Sequence, residues 1–378
     1  MTQLDHKKRI LRATRRVVVK IGSQILSSPT GIEEERLGER AHELAALHDQ
    51  GKALVVVSSG AIAAGMSRLG RRDRPKTIPE KQALAAVGQI RLMALYDQHF
   101  SRYGKSVAQV LLTHEDLADR QRYLNAKHTF SMLLESSIIP IVNENDTVAV
   151  DEMKFGDNDH LSALVATLLE ADLLVILSDV DGVYDRDPRV HADATLIPLI
   201  REAQEIGVPA TAGGPGLLGT GGIATKIAAA EKAAAAGIPT IIANGARPGI
   251  LQAVFNESQT VGTLVLPHGN RLRNRKHWIA YNLKPAGDLI VDHGARDALV
   301  QKKKSLLPSG VKQVLGSFGV GDCVRCLDAD GREFARGLVN YSAQELNQIK
   351  GLHTSEIEKV LGYKAYDEII HRDDLVLL

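Results

Sequence analysis

Five short apolar runs constrain this chain more than any other feature: VVVKIG (17–22), ALVVVSSG (53–60), SIIPIVNEND (137–146), ADLLVILSD (171–179) and IPTIIANG (238–245). They are β-branched and nearly continuous, not alternating, so each reads as a strand buried on both faces. Between them lie longer stretches such as ERLGERAHELAALHDQG and DHLSALVATLLEA, with apolar residues at helical spacing. Strand–helix alternation predicts an α/β fold, an α/β/α sandwich with a mostly parallel central sheet, over residues 15–268. Residues 1–14 precede this rhythm as an N-terminal extension, and residues 269–283 read as a linker. From 284 to 378 the pattern changes to short strands with turn signals, GDLIVDHGA and GVGDCVRCLDADGREFARGLVNY. That segment is expected to be a small β-rich domain.

The length agrees with two domains, since 378 residues exceed what one core of about 150 residues organises. A net charge of +1 excludes nucleic-acid binding through bulk charge alone. The basic N-terminus MTQLDHKKRILRATRR is followed by only VVV before Lys20, too short for a signal-peptide core. No apolar run approaches the roughly 18 residues of a membrane span, so the expectation is a cytoplasmic protein without a membrane partner. The two cysteines, Cys323 and Cys326, form a C-x-x-C pair inside an alternating segment. At that spacing on a strand the thiols point to opposite faces, which suits ordinary reduced cysteines better than zinc or redox chemistry.

Ligands of open α/β sheets gather at the carboxyl ends of the strands. The first strand delivers Lys20, Gly22 and Ser23; the second Ser58, Ser59 and Gly60; the third Asn143, Glu144, Asn145 and Asp146; the fourth Ser178 and Asp179. FGDNDHLSAL adds Asp157, Asn158 and Asp159 at a helix start. GTGGIATKIAAAEKAAAAG carries Lys226 from a glycine loop into an alanine-rich helix, whose first N–H groups and dipole suit an anion, phosphate first. Any one of these has an ordinary alternative: a solvated strand end for Lys20, a helix cap for Ser59 or Asp157, a polar turn for NEND. Their convergence on one sheet edge favours phosphate and carboxylate chemistry. Three pattern matches fail. GPGLLG lacks a preceding strand and an acidic ribose partner; GTGGIATK has the wrong spacing for a Walker loop; DVDGVYDRD puts glycine too early for a calcium loop.

VVVKIGSQIL, VVVSSGAIAAG, IPIVNEND, GDNDHLSALVA, LSDVDGVYDRDPR and GTGGIATKIAAAEKAAAAGI together resemble the amino acid kinase family, in the branch that phosphorylates glutamate for proline biosynthesis. LLPSGVKQVLGSFGVGDCVRC and GREFARGLVNYSAQEL resemble a PUA domain. The resemblance covers nearly the whole chain after about the first ten residues. It implies the amino acid kinase fold and Mg²⁺-dependent transfer of a phosphoryl group from ATP to the γ-carboxylate of L-glutamate. It implies Lys20, Lys226 and Asp159 as the catalytic group, with Asp159 orienting the two lysines. ATP would lie against Lys20, Ser178, Asp179 and the run Thr220, Gly221, Gly222, Ile223, Ala224, Thr225 and Lys226. Ser178 stands where the family usually has threonine, and keeps the hydroxyl. Glutamate would be held by Asp146 on its ammonium, Ser59 on a carboxylate and Asn158 as a neutral donor, with Asp157 supporting that loop. No protein ligand for Mg²⁺ is identifiable. Feedback inhibition by proline at or beside residues 140–159, and a homo-tetramer or dimer formed through the kinase domain, also follow from the resemblance alone.

The competing readings explain less. A carboxylate pair for glycoside hydrolysis leaves both lysines and the glycine loop without a purpose. RNA binding by the PUA segment would draw on the cluster Lys302–Lys303–Lys304, but residues 278–378 carry thirteen Lys and Arg against fourteen Asp and Glu, unlike a basic footprint. Another acceptor, such as aspartate or acetylglutamate, would be separated by assay.

Overall fold

All five apolar runs form strands, and three further strands join them in one sheet. The computed structural model describes residues 2–28, 31–149, 158–188, 190–201, 222–267 and 285–378. It divides into two units, the first Met1–Ala118 with Asn125–His268 and the second Asp119–Leu124 with Gly269–Leu378.

The first unit is organised on an eight-stranded sheet: β1 (Arg16–Ile21), β2 (Ala53–Ser58), β3 (Val107–Leu112), β4 (Ile139–Glu144), β5 (Leu173–Ser178), β6 (Leu199–Ile200), β7 (Thr240–Asn244) and β8 (Thr263–Val265). The order is β3-β4-β2-β1-β5-β7-β8-β6. Every pairing is parallel except β7 with β8. Val17, Val18, Val19, Leu54, Val55, Val56 and Val57 are all fully buried, as strands covered on both faces must be. In β1, Lys20 stands in register with Val57 on one side and Ile176 on the other, so its stem begins between two apolar strands.

The N-terminal extension is part of this unit. Its helix α1 (Gln3–Ala13) starts with a reciprocal Thr2–Asp5 capping box. Lys7 is 1% exposed, and its Nζ donates to the carbonyls of Ala253, Asn256 and Gln259 at 2.9, 3.0 and 2.8 Å, which satisfies the last turn of the helix Ile250–Phe255. Burial pushes the Lys7 ammonium down to about 8. A second buried charge serves the other end of that helix. Arg40, in α2 (Glu34–Asp49), donates to the carbonyls of Gly245 and Arg247 and pairs with Glu43 at 2.8 Å. Glu43 in turn accepts from the Gly249 and Leu251 N–H groups. The loop leaving β7 is thereby fixed beside β5, where Gly245 N–H donates to the Ser178 carbonyl.

Two helices set the position of the second strand's polar end. Helix α3 (Ala61–Arg68) follows Gly60, whose φ of 113° falls in the left-handed region where a side chain is disfavoured. Helix α4 (Ile78–Ser101), opened by a Thr77–Glu80 capping box, crosses α3 backbone to backbone. A Cβ on Gly88 would lie 1.8 Å from the Ala61 carbonyl oxygen, and one on Gly65 1.9 Å from that of Leu84.

In the second unit five strands, β9 (Gly287–Val291), β10 (Val311–Gly316), β11 (Cys323–Leu327), β12 (Glu333–Leu338) and β13 (Leu375–Leu377), lie in the order β10-β9-β11-β12-β13, antiparallel except for β9 with β11. Cys326 enters the main core of this unit, whereas Cys323 packs with Leu338 on the opposite face. Burial raises both thiols, Cys326 to about 12, so neither is a ready thiolate. Lys302, Lys303 and Lys304 form an exposed turn.

Gly88→Ala should drive α3 and α4 apart. We expect a loss of about 1–3 kcal/mol in urea denaturation, the usual cost of overpacking; an unchanged midpoint would show that the helices can separate freely.

Candidate active site

Three charged side chains from distant parts of the chain meet at the carboxyl edge of the sheet. Asp159 lies in the first turn of α5 (Asn158–Leu168), where the helix dipole favours a carboxylate. Its Oδ1 is 2.6 Å from Lys20 Nζ and its Oδ2 is 3.1 Å from Lys226 Nζ. Lys226 belongs to the first turn of α6 (Ile223–Ala235). All three are nearly inaccessible, at 6%, 2% and 4% exposure for Lys20, Asp159 and Lys226. Lysines are seldom buried to this degree unless paired, so the triad is a deliberate electrostatic arrangement. Burial alone would raise the Asp159 carboxyl, but the two ammoniums and the hydrogen bonds from Lys20 and Thr225 outweigh it and hold the group below its ordinary value. Two ammoniums thus share one carboxylate.

The start of α6 extends that cluster. Among the described residues no side chain caps Gly222, so the first amides of the helix and the positive end of its dipole suit an anion. Thr225 Oγ1 sits 2.8 Å from Asp159 Oδ2 and 2.8 Å from the Gly222 carbonyl, fastening the glycine turn to the triad. Ile223 and Ala224 continue the same turn. Thr220 and Gly221 lie outside the described residues, as does Asp157. Ser178 and Asp179 end β5, the strand beside β1. Ser178 is buried and donates to Asp179 Oδ1 at 3.0 Å, while Asp179 is exposed.

A second group of polar side chains surrounds the end of β2. Asn158 Nδ2 donates toward the Ser58 carbonyl at 3.0 Å, Ser59 Oγ at 2.7 Å and Asn143 Oδ1 at 3.0 Å. Its N–H groups are thus engaged by the protein, while its buried acceptor Oδ1 has no hydrogen-bond partner among the described residues. Ser58 Oγ shares a hydrogen bond with the buried Tyr96 hydroxyl at 2.8 Å. Asp146, two residues beyond β4, is half-buried, and its carboxyl takes no hydrogen bond or ion pair from any described residue. Burial pushes its pKa up to about 6.

The structure thus brings Lys20, Asp159, Lys226 and Thr225 into one contact group, and joins Ser59 to Asn158 in another. Adjacency of Asn158 and Asp159 in sequence links the two. Sequence reading assigned no role to Gln89, which lies mid-helix in α4 and donates nothing to a motif. It also assigned Thr225 to the nucleotide without its bond to Asp159.

This geometry, two ammoniums held by one buried carboxylate at the carboxyl edge of a parallel sheet, is that of a phosphoryl-transfer protein. The chain belongs to the amino acid kinase family, whose model matches residues 15–244, while the PUA domain model matches residues 287–361. Similar relatives are glutamate 5-kinases along their whole length: that of Pelobacter propionicus is 52% identical over 373 residues, covering 98% of this chain and 100% of its own. That of Geobacter sulfurreducens is 52% identical with 98% and 99% coverage, and that of a Thermoanaerobacter species 48% identical with 96% and 98% coverage.

If the Asp146 carboxylate receives the substrate's ammonium, it must be ionised to do so. Its raised pKa places that requirement in an accessible range: kcat/KM for the amino acid should fall about tenfold per pH unit below roughly pH 6. Asp146→Asn should remove this acid limb along with most of the affinity. An acid limb that survives the substitution unchanged would assign the titration to another group.

Proposed function

We propose that this protein transfers the γ-phosphoryl group of ATP to the γ-carboxylate of L-glutamate, giving γ-glutamyl phosphate and ADP, the step that opens proline biosynthesis. The observation that carries the reading is the Lys20–Asp159–Lys226 cluster, with both ammoniums gripped by one buried carboxylate. It stands in a chain about half identical to glutamate 5-kinases over both full lengths.

Phosphoryl transfer asks little covalent work of a protein. It asks that two anionic reactants be held in line and that charge on the moving group be neutralised. Lys20 and Lys226 supply that charge from two different elements, and Asp159 fixes both side chains before substrate arrives, so no reorganisation is needed in the transition state. The amides at the start of α6, with Gly222, Ile223 and Ala224, take phosphate oxygens, and Thr220 and Gly221, just before them in sequence, contribute to the same binding. Ser178 and Asp179 bind the nucleoside side of ATP. Mg²⁺ travels with ATP. Among the described residues no group of three His, Cys, Asp or Glu stands together as a cage, and both Asp159 oxygens face lysines, which suits an ion held mainly by phosphate and water oxygens.

The acceptor lies toward Ser59, Asn158 and Asp146. Asp146 and Asn158 Oδ1 receive the ammonium, Ser59 and the amides that open α3 hold a carboxylate, and Asp157 supports the loop. L-proline, an amino acid with the same ammonium and α-carboxylate, inhibits by occupying this region or the segment beside it, residues 140–159. The working protein is a homo-oligomer assembled through the kinase unit, and it acts in the cytoplasm; no helix among the described residues is long and apolar enough to cross a membrane.

Lys226→Ala and Lys20→Ala should each lower kcat by roughly 10²-fold or more, the scale of losing one transition-state donor. Hydroxylamine trapping of the acyl phosphate, with ADP release in parallel, reads this directly. Folded variants with unchanged kcat would remove the lysines from the mechanism.

A further inference from the structure

Behind the acceptor side of the site runs a chain of three carboxamides. Asn158 Nδ2 donates to Asn143 Oδ1 at 3.0 Å, and Asn143 Nδ2 donates to Gln89 Oε1 at 2.8 Å. Both inner members are buried, Asn143 at 3% exposure and Gln89 at 9%. The sense of each amide is set by backbone groups that cannot exchange roles. Asn143 Oδ1 must be the oxygen because it accepts the Glu144 N–H at 2.9 Å, and Asn158 Nδ2 must be the nitrogen because it faces the Ser58 carbonyl. Gln89 therefore has to present Oε1 to Asn143. The chain ends in two unspent buried atoms, Asn158 Oδ1 at one end and Gln89 Nε2 at the other.

We propose that Gln89, far from the acceptor loops in sequence, is a positioning residue for amino-acid specificity: through Asn143 it holds the Asn158 amide with its oxygen turned toward the substrate's ammonium. The inference rests on the proposed acceptor site. Without the Gln89 oxygen, Asn143 Nδ2 is left buried with an unmade hydrogen bond, and Asn143 loses the contact that braces its oxygen against Asn158 Nδ2. Asn158 keeps the Ser58 carbonyl, so its amide is not turned over, but it is held less firmly and its oxygen is less well placed for the substrate's ammonium. An acceptor pair of one carboxylate, Asp146, and one neutral carbonyl, Asn158 Oδ1, suits a free ammonium and rejects an N-acylated amino acid, whose amide has one proton to give and no charge.

A double-mutant cycle on the full-length enzyme tests this. Gln89→Met keeps the length of the side chain and its helix preference. It should raise the glutamate KM about tenfold, the scale of one buried hydrogen bond to a charged group, while the ATP KM and kcat stay within about twofold. In an Asn158→Ala background the same change should cost nothing further. Gln89→Glu, which retains an oxygen for Asn143, should restore the glutamate KM to within about threefold of wild type. If Asn158→Ala alone leaves the glutamate KM unchanged, the acceptor reading itself fails. If Asn158→Ala raises it but the Gln89→Met penalty is the same with and without Asn158, or if kcat and both KM values move together, Gln89 is a packing residue and the proposal is overturned.

Discussion

Everything in the kinase unit is arranged around one buried carboxylate, Asp159, held between two ammoniums. Each of the three charges would be costly to bury alone, and each is tolerable because of the others. Lys20 comes from the central strand, Asp159 from the helix after the third run, and Lys226 from the helix after the glycine loop. Contact among them fixes the relation of β1, α5 and α6. Fold and site are here the same constraint: the helices can dock only where the charges close, and the charges close only at the carboxyl edge of the sheet.

Packing beyond the triad protects this relation. The α3–α4 crossing, tight enough that Gly65 and Gly88 admit no side chain, holds the Ser59–Gly60 turn against β2. Arg40 and Glu43 bind the loop after β7 through four backbone groups and so fix the neighbourhood of Ser178. Lys7 closes the far end of the helix Ile250–Phe255 from an N-terminal segment that sequence alone separated from the domain. Lys7 and Arg40 hold backbone carbonyls, whereas Lys20 and Lys226 share one carboxylate, Asp159. Asp146 shows the converse: a carboxylate kept half-buried without a cation, at a cost that a substrate ammonium would relieve.

How much of this was legible in the sequence follows from where the physics is local. Continuous β-branched runs announced the five long parallel strands because burial on both faces leaves a one-dimensional signature. The edge strand Val107–Leu112 was not announced, since its half-exposed face dilutes the apolar pattern, and Leu199–Ile200 and Thr263–Val265 are too short to show a period. Strand-end residues pointed to the site because the topology of parallel sheets sends them all to one edge. The sense of the Asn158 amide could not be read: whether a carboxamide gives or accepts depends on neighbours 15 to 100 positions away. Gln89 carried no signal at all, being one polar residue on a long helix whose partner comes from a different strand. The Thr2–Asp5 capping box was readable in principle, but Lys7 gave no hint that its ammonium would be buried against three carbonyls.

The most direct measurement is a crystal structure of the enzyme with ADP, Mg²⁺, glutamate and a planar metal fluoride in place of the moving phosphoryl group. Both Nζ atoms, of Lys20 and of Lys226, should lie within hydrogen-bonding distance of the fluoride ligands, with Asp159 still touching each lysine. Either ammonium found well away from the planar group in a closed, fully liganded site would contradict the central claim that one buried carboxylate aims two cations at the group in flight.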